Sequence, residues 1–188
     1  MTIDINQHQI AIGDRYNIYV DQEFSYKARV SLFRLFLAEI ILSNTEGALV
    51  AKIERKFNWL NAKYSITGLH PNVLTFRTRQ IWKMHFACQL GPDRYEIYGH
   101  KGRRVSVFLN EQQVAYFDKA AVSWFNGDNY KIVANDDCDP GLLICFVLIW
   151  DNFFSSKSEG NTVTFDFGNI GLEARKFDEN WIPKKIKN

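Results

Sequence analysis

Four aspartates gather over 128–139: Asp128, Asp136, Asp137 and Asp139. Carboxylate oxygens are hard donors, so Asp128, Asp137 and Asp139 form the one set in the chain with the chemistry of a Ca²⁺ site. The spacing is not that of an EF-hand loop, which alternates its ligands and ends on a glutamate. The same residues stand just ahead of an apolar run that begins at Leu142. There Asp139 is placed to cap a helix, Pro140 suits its first position, and the acidic cluster faces the positive end of the helix dipole. Ion binding and capping are both open to this cluster.

Basic residues fall into three groups: Lys52, Arg55 and Lys56; Arg77, Arg79 and Lys83; and Lys101, Arg103 and Arg104. The last two groups are candidate ligands for an anionic head group. Arginine pairs bidentately with phosphate, and each cation near an anionic membrane contributes about 1 kcal/mol. Glu54, Asp93 and Glu96 are interspersed among them. The net charge of +2 and pI near 8.4 are too mild for a dedicated nucleic-acid binder. Catalytic patterns are missing. His8, His70, His85 and His100 lack metal-ligand spacing. His85 and Cys88 fall on opposite faces of one strand and make no dyad. Gly99–Gly102 is too short for a phosphate loop, and the chain holds no G-x-S-x-G or Walker pattern. No catalytic residue is assigned, and Ca²⁺ is the only cofactor considered. The three cysteines, Cys88, Cys138 and Cys145, include no C-x-x-C pair, which fits a reducing, cytoplasmic setting.

The elements that position these residues are mostly strands. Tyr16–Val20, Phe24–Val30, Ala48–Glu54, Val73–Arg79 and Ile81–Leu90 alternate apolar and polar residues, as strands with one wet face do. The apolar run 31–42 reads as a long strand over Leu35–Ser43. Arg94–Tyr98, Arg103–Leu109, Gln112–Asp118 and Asn129–Ala134 follow, parted by Gly- and Asn-rich turns. Residues 1–14 are weakly patterned and read as a frayed end or an extra edge.

After about eleven such strands comes the most apolar stretch, Leu142–Trp150, which has no polar face and so must be buried all round. The helix predicted over 140–154 is too short to span a bilayer. At about 22 Å it matches the length of a strand of six or seven residues. These features predict a mainly β fold: a closed antiparallel barrel of about twelve strands around a central hydrophobic helix, the whole of 1–188 forming one domain. Residues 155–188 read as a C-terminal extension with one further strand at 162–168.

Asp128-Asn129-Tyr130-Lys131-Ile132, then Asp137 and Asp139, then the apolar helix, then Asp151 and Phe153-Phe154, is similar to a segment of the phospholipid scramblases. With SLFRLFLAEI (31–40) before a glycine turn, the chain resembles the tubby C-terminal-like superfamily, which also includes the LURP-one-related proteins. The resemblance covers 16–154. It implies a twelve-stranded barrel around a hydrophobic helix and a surface for phosphoinositide head groups. It also implies a Ca²⁺ role for the aspartate segment. The functional expectation is a non-enzymatic module that binds anionic lipid at Arg77, Arg79, Lys83, Lys101, Arg103 and Arg104, peripheral to the inner membrane face. A protein-interaction domain docking through 169–188 is the alternative, and a Ca²⁺-dependent scramblase-like activity a third reading.

Overall fold

Wherever apolar and polar residues alternate, the chain is extended, and the apolar set faces one interior. The computed structural model describes residues 1–9, 14–33, 37–56, 63–119, 129–158 and 173–186. Its strands are β1 (Thr2–Gln9), β2 (Asp14–Val20), β3 (Glu23–Phe33), β4 (Leu37–Asn44), β5 (Leu49–Lys56) and β6 (Lys63–Thr67). They continue with β7 (Leu74–Gln80), β8 (His85–Leu90), β9 (Asp93–Gly99), β10 (Arg104–Leu109), β11 (Gln112–Lys119) and β12 (Asn129–Ala134). Each strand pairs antiparallel with its neighbours in sequence. The barrel closes where β1 meets β12, with Ile3 opposite Ile132 and Ile5 opposite Tyr130. Closure removes the open edges that so many strands would otherwise present.

The helix α1 (Pro140–Ser158) runs through the barrel. From Leu142 to Ile149 no residue is more than 3% exposed. Its side chains meet walls on every side. Phe146 packs on Phe76 of β7 at 5.6 Å and Tyr95 of β9 at 5.5 Å. Trp150 meets Phe86 of β8 at 5.1 Å and Phe117 of β11 at 5.8 Å. Two polar residues, Asp151 and Asn152, interrupt the apolar run, and both are buried. Asp151 accepts hydrogen bonds from the hydroxyls of Tyr16 (2.6 Å) on β2 and Tyr130 (2.5 Å) on β12, and Asn152 accepts one from Tyr64 (3.1 Å) on β6. Buried polar groups are retained when they are paired in this way. At the opposite end Asp139 caps the helix through Oδ1, which accepts from Gly141 N (2.8 Å) and Leu142 N (3.3 Å). Leu69 closes that mouth. A Cβ on Gly141 would lie 2.8 Å from Leu69 Cδ2, so a larger residue there would have to displace the Leu69 side chain.

Several elements differ from the sequence expectation. Residues 2–9 are neither frayed nor an edge: β1 is the strand that closes the barrel, paired on both sides. The strand expected over Leu35–Ser43 is found as β4, Leu37–Asn44, but the strand before it also reaches into the apolar run 31–42. β3 extends to Phe33 and β4 begins at Leu37, and the two face each other with Phe33 opposite Leu37. Both are apolar enough that no polar turn marks the reversal. Ile81–Leu90 is broken by a 3-10 turn over Ile81–Lys83, with Met84 left-handed at φ 46°, so only His85–Leu90 is strand. The helix runs on to Ser158. The strand expected at 162–168 lies outside the described residues.

Residues 173–186 lie along the outer face of β9, β10 and β11. Arg175 stacks over the Phe108 ring at 3.7 Å, and Phe177 meets His100 (5.3 Å) and Tyr116 (5.7 Å). Trp181 packs on Tyr116 at 5.9 Å while its Nε1 donates to Gln113 O (3.1 Å). This cover explains why Tyr98, Ser106 and Phe108, which face out of the barrel, are buried. The segment is clasped at its far end. Lys184 N donates to Asn135 Oδ1 (2.8 Å) and Ile186 N to Asp136 Oδ2 (3.0 Å), while the Met1 ammonium holds Asp136 Oδ1 (2.5 Å).

Those contacts, the ammonium first and the Ile186 amide next, hold the Asp136 carboxyl down to about 2. An aspartate in the unfolded chain titrates near 3.8. A carboxyl lowered on folding stabilises above its unfolded value, and that stabilisation fades as pH falls through the folded one. The clasp is expected to be intact above about pH 4 and lost by about pH 2. Amide exchange at Lys184 and Ile186, corrected for intrinsic rate, checks this. Protection unchanged at about pH 2 would show that the carboxylate does not hold the segment.

Candidate functional site

The outer wall over β6 to β9 carries a cationic depression of about 370 Å³. Its lining is Lys63 from β6, Thr75, Arg77 and Arg79 from β7, Ala87, Cys88 and Gln89 from β8, and Arg94 from β9. Register explains the shape. Lys63 stands opposite Arg77, Arg77 opposite Ala87, and Ala87 opposite Glu96. The short Ala87 side chain leaves a floor between strands that carry long cations. Facing residues on antiparallel strands have Cβ atoms about 5 Å apart, and like charges placed so are destabilising. Lys63 and Arg77 are such a pair, with Arg79 two residues further along the same face. All three are exposed, and no described carboxylate pairs with any of them.

Arg94 is partly neutralised. Its guanidinium reaches Glu96 Oε1 at 2.5 Å, where His85 Nε2 also lies at 3.2 Å, and the Tyr98 hydroxyl donates to Oε2 at 3.2 Å. Glu96 is only 5% exposed. Burial alone would raise its carboxyl, but Arg94, Tyr98 and His85 outweigh it and hold the carboxyl below its ordinary value. Burial lowers the His85 imidazole, more than Glu96 raises it. Glu96 therefore fixes Arg94 and the edge of the depression, and three cations remain over for a ligand. At about 1 kcal/mol each toward an anionic membrane, they supply about 3 kcal/mol, roughly a hundredfold in affinity.

Of the cations expected from sequence, only Arg77 and Arg79 line the depression. Lys83 sits on the 3-10 turn after β7 and is exposed, but does not line it. Lys101, Arg103 and Arg104 lie apart, at the β9–β10 connection. There Arg104 is engaged by Glu179 through Nη1 (2.6 and 2.7 Å) and stacks on Phe177 at 5.0 Å. The Lys101 amide donates to Glu173 at 2.8 Å. Sequence reasoning missed Lys63 and Arg94. Pairing outward from the turn at 68–72 would have set Lys63 against Arg77, and pairing from Gly91-Pro92 would have set Arg94 against Gln89.

Of the aspartates expected to hold Ca²⁺, the structure gives a hydrogen-bonding role to one, Asp139. Asp139 commits one oxygen to the helix cap, Asp137 is exposed, and Asp128 lies outside the described residues. Among the described residues no group of three or more His, Cys, Asp or Glu side chains is placed to share a metal ion. Burial raises the thiols of Cys88 to about 12 and Cys138 to about 11, and Cys145 in the same direction, so none is a ready nucleophile. Among the described residues no helix is long and apolar enough to cross a membrane.

No family model, curated protein or solved structure matches this chain.

Proposed function

We propose that this chain is a non-enzymatic, tubby-like barrel that holds anionic phospholipid head groups, phosphoinositides among them, in the depression over β6 to β9. The observation that carries the reading is the set Lys63, Arg77 and Arg79, gathered around a small-residue floor with no carboxylate partner among the described residues. A wall that tolerates a like-charge cross-strand pair is stabilised when an anion settles between the two. The module would then be cytoplasmic and peripheral at the inner membrane face.

The alternative, docking of a partner by the Trp181 region, is less supported. Phe177 and Trp181 are already packed on the barrel's own Tyr116.

Sedimentation with vesicles tests the proposal. The protein is expected to pellet with vesicles of phosphatidylserine and phosphatidylinositol bisphosphate at low salt and to stay in solution with phosphatidylcholine alone. Raising the salt is expected to release it, since exposed charges are screened. Failure to pellet with either anionic lipid at low salt would end the head-group reading.

A further inference from the structure

Five large hydrophobic residues are exposed among the described residues: Phe24, Leu49, Val73, Ile182 and Ile186. All five lie at one end of the barrel, around the N-terminus of α1. Phe24, Leu49 and Val73 follow the successive turns that join β2 to β3, β4 to β5 and β6 to β7. Strands stand about 4.8 Å apart, so these tips follow one another at about 10 Å along the rim. Ile186 is bonded through its amide to Asp136, in the link from β12 to the helix, and Ile182 adjoins Trp181, which is tied to Gln113 near the start of β11. Leu49 and Val73 are 61% and 60% exposed and Ile182 is 80% exposed.

Charge says what covers this rim. At the same end Asp21 and Glu23 lie at the β2–β3 turn, Glu46 at the β4–β5 turn, Glu111 at the β10–β11 turn and Asp137 in the link to the helix, all exposed. Among the described residues Glu23, Glu46 and Asp137 have no cationic partner. Carboxylates around apolar tips repel an anionic bilayer, so this end is not the membrane face. They complement a cationic chain. The Phe24 ring already takes a cation, Lys27 Nζ at 5.4 Å.

We infer that the rim around the helix N-terminus docks a basic amphipathic segment of a partner protein, its apolar side chains against Leu49, Val73 and Phe24 and its lysines or arginines against Glu23 and Glu46. Interfaces of this kind set apolar anchors inside a polar rim, and the charges steer the encounter. The inference stands apart from the head-group site, which lies on the side wall.

The test uses the full chain and a fluorescein-labelled synthetic peptide of repeated Lys-Leu-Leu-Lys, followed by anisotropy at low salt. Saturable binding is expected, with hydrogen-exchange protection at the turns holding Phe24, Leu49 and Val73. The pair Leu49→Ser and Val73→Ser, and separately Glu23→Lys with Glu46→Lys, should each weaken binding about tenfold or more. Arg77→Glu with Arg79→Glu should leave it unchanged, so that loss of vesicle binding and loss of peptide binding are read separately. Equal peptide binding by the rim variants and the wild type would overturn the inference. So would vesicle binding that Leu49→Ser and Val73→Ser abolish, which would assign the rim to a membrane. Self-association of the wild type that the same pair abolishes would assign it to a second copy, and would likewise overturn it.

Discussion

Arg77→Glu combined with Arg79→Glu should abolish vesicle binding while leaving the fold intact. Each reversal removes one attractive charge and adds a repulsive one, about 2 kcal/mol per position at about 1 kcal/mol per charge. Together that is about 4 kcal/mol, near a thousandfold in affinity. Both side chains are exposed, so nothing in the core is disturbed. Lys63 faces Arg77 across the β6–β7 pair, and a glutamate there relieves a like-charge contact. The variant is therefore expected to melt at or slightly above the wild-type temperature. A melting curve beside the vesicle assay separates loss of a site from loss of a fold. Vesicle binding retained by the double variant would mean that the depression is not the contact.

Phe146→Ala should be the most damaging single change in the core. Phe146 is fully buried at mid-helix, packed against Phe76 of β7 and Tyr95 of β9 on the neighbouring stretch of wall. Truncating a buried phenylalanine costs about 3–5 kcal/mol, and the cost rises when the surroundings cannot collapse. Here they cannot collapse readily, because the wall is a closed ring of hydrogen-bonded strands. A loss of that size lowers the melting temperature of a domain this long by roughly 10 °C. Phe146→Leu keeps most of the volume and should cost far less. A calorimetric scan of the two variants decides it, and equal melting of Phe146→Ala and the wild type would mean that the helix is not packed as a strut.

The barrel was legible because period-two alternation recurs in almost every strand and because Leu142–Trp150 has no polar face to show to water. Even the limits of β12, Asn129–Ala134, and the cap at Asp139 could be read from the chain. What failed has local causes. β1 looked weakly patterned because its alternation holds only over Ile3–Asn6 and then places a polar residue, Gln7, on the buried face, and because its partner, β12, is the strand farthest away in sequence. In the alternation of Ala48–Glu54, Leu49 falls on one face with Ala51 and Ile53. A register shift between Leu42 and Ser43 moves it off that face and onto the rim. The depression was half legible. Arg77 and Arg79 share a strand, but Lys63 and Arg94 join them only through pairing between strands, which no single stretch of sequence displays. The covering of Arg104 by Glu179 was not legible at all, since the two are brought together by the tail crossing the outer wall.

The seam between β1 and β12 has a consequence for how the molecule comes into being. The first strand made must wait for the twelfth, and the helix is made after both. A helix filled with Phe146 and Trp150 and held from opposite walls, by Phe86 of β8 against Trp150 and Tyr16 of β2 on Asp151, cannot be threaded into a finished tube. Wall and helix must therefore come together while the tube is still an open, curling sheet. Such late, long-range pairing is slow to form. The joint between Ile3 and Ile132 is then the latch: once it shuts, the helix has no way out that does not reopen the wall.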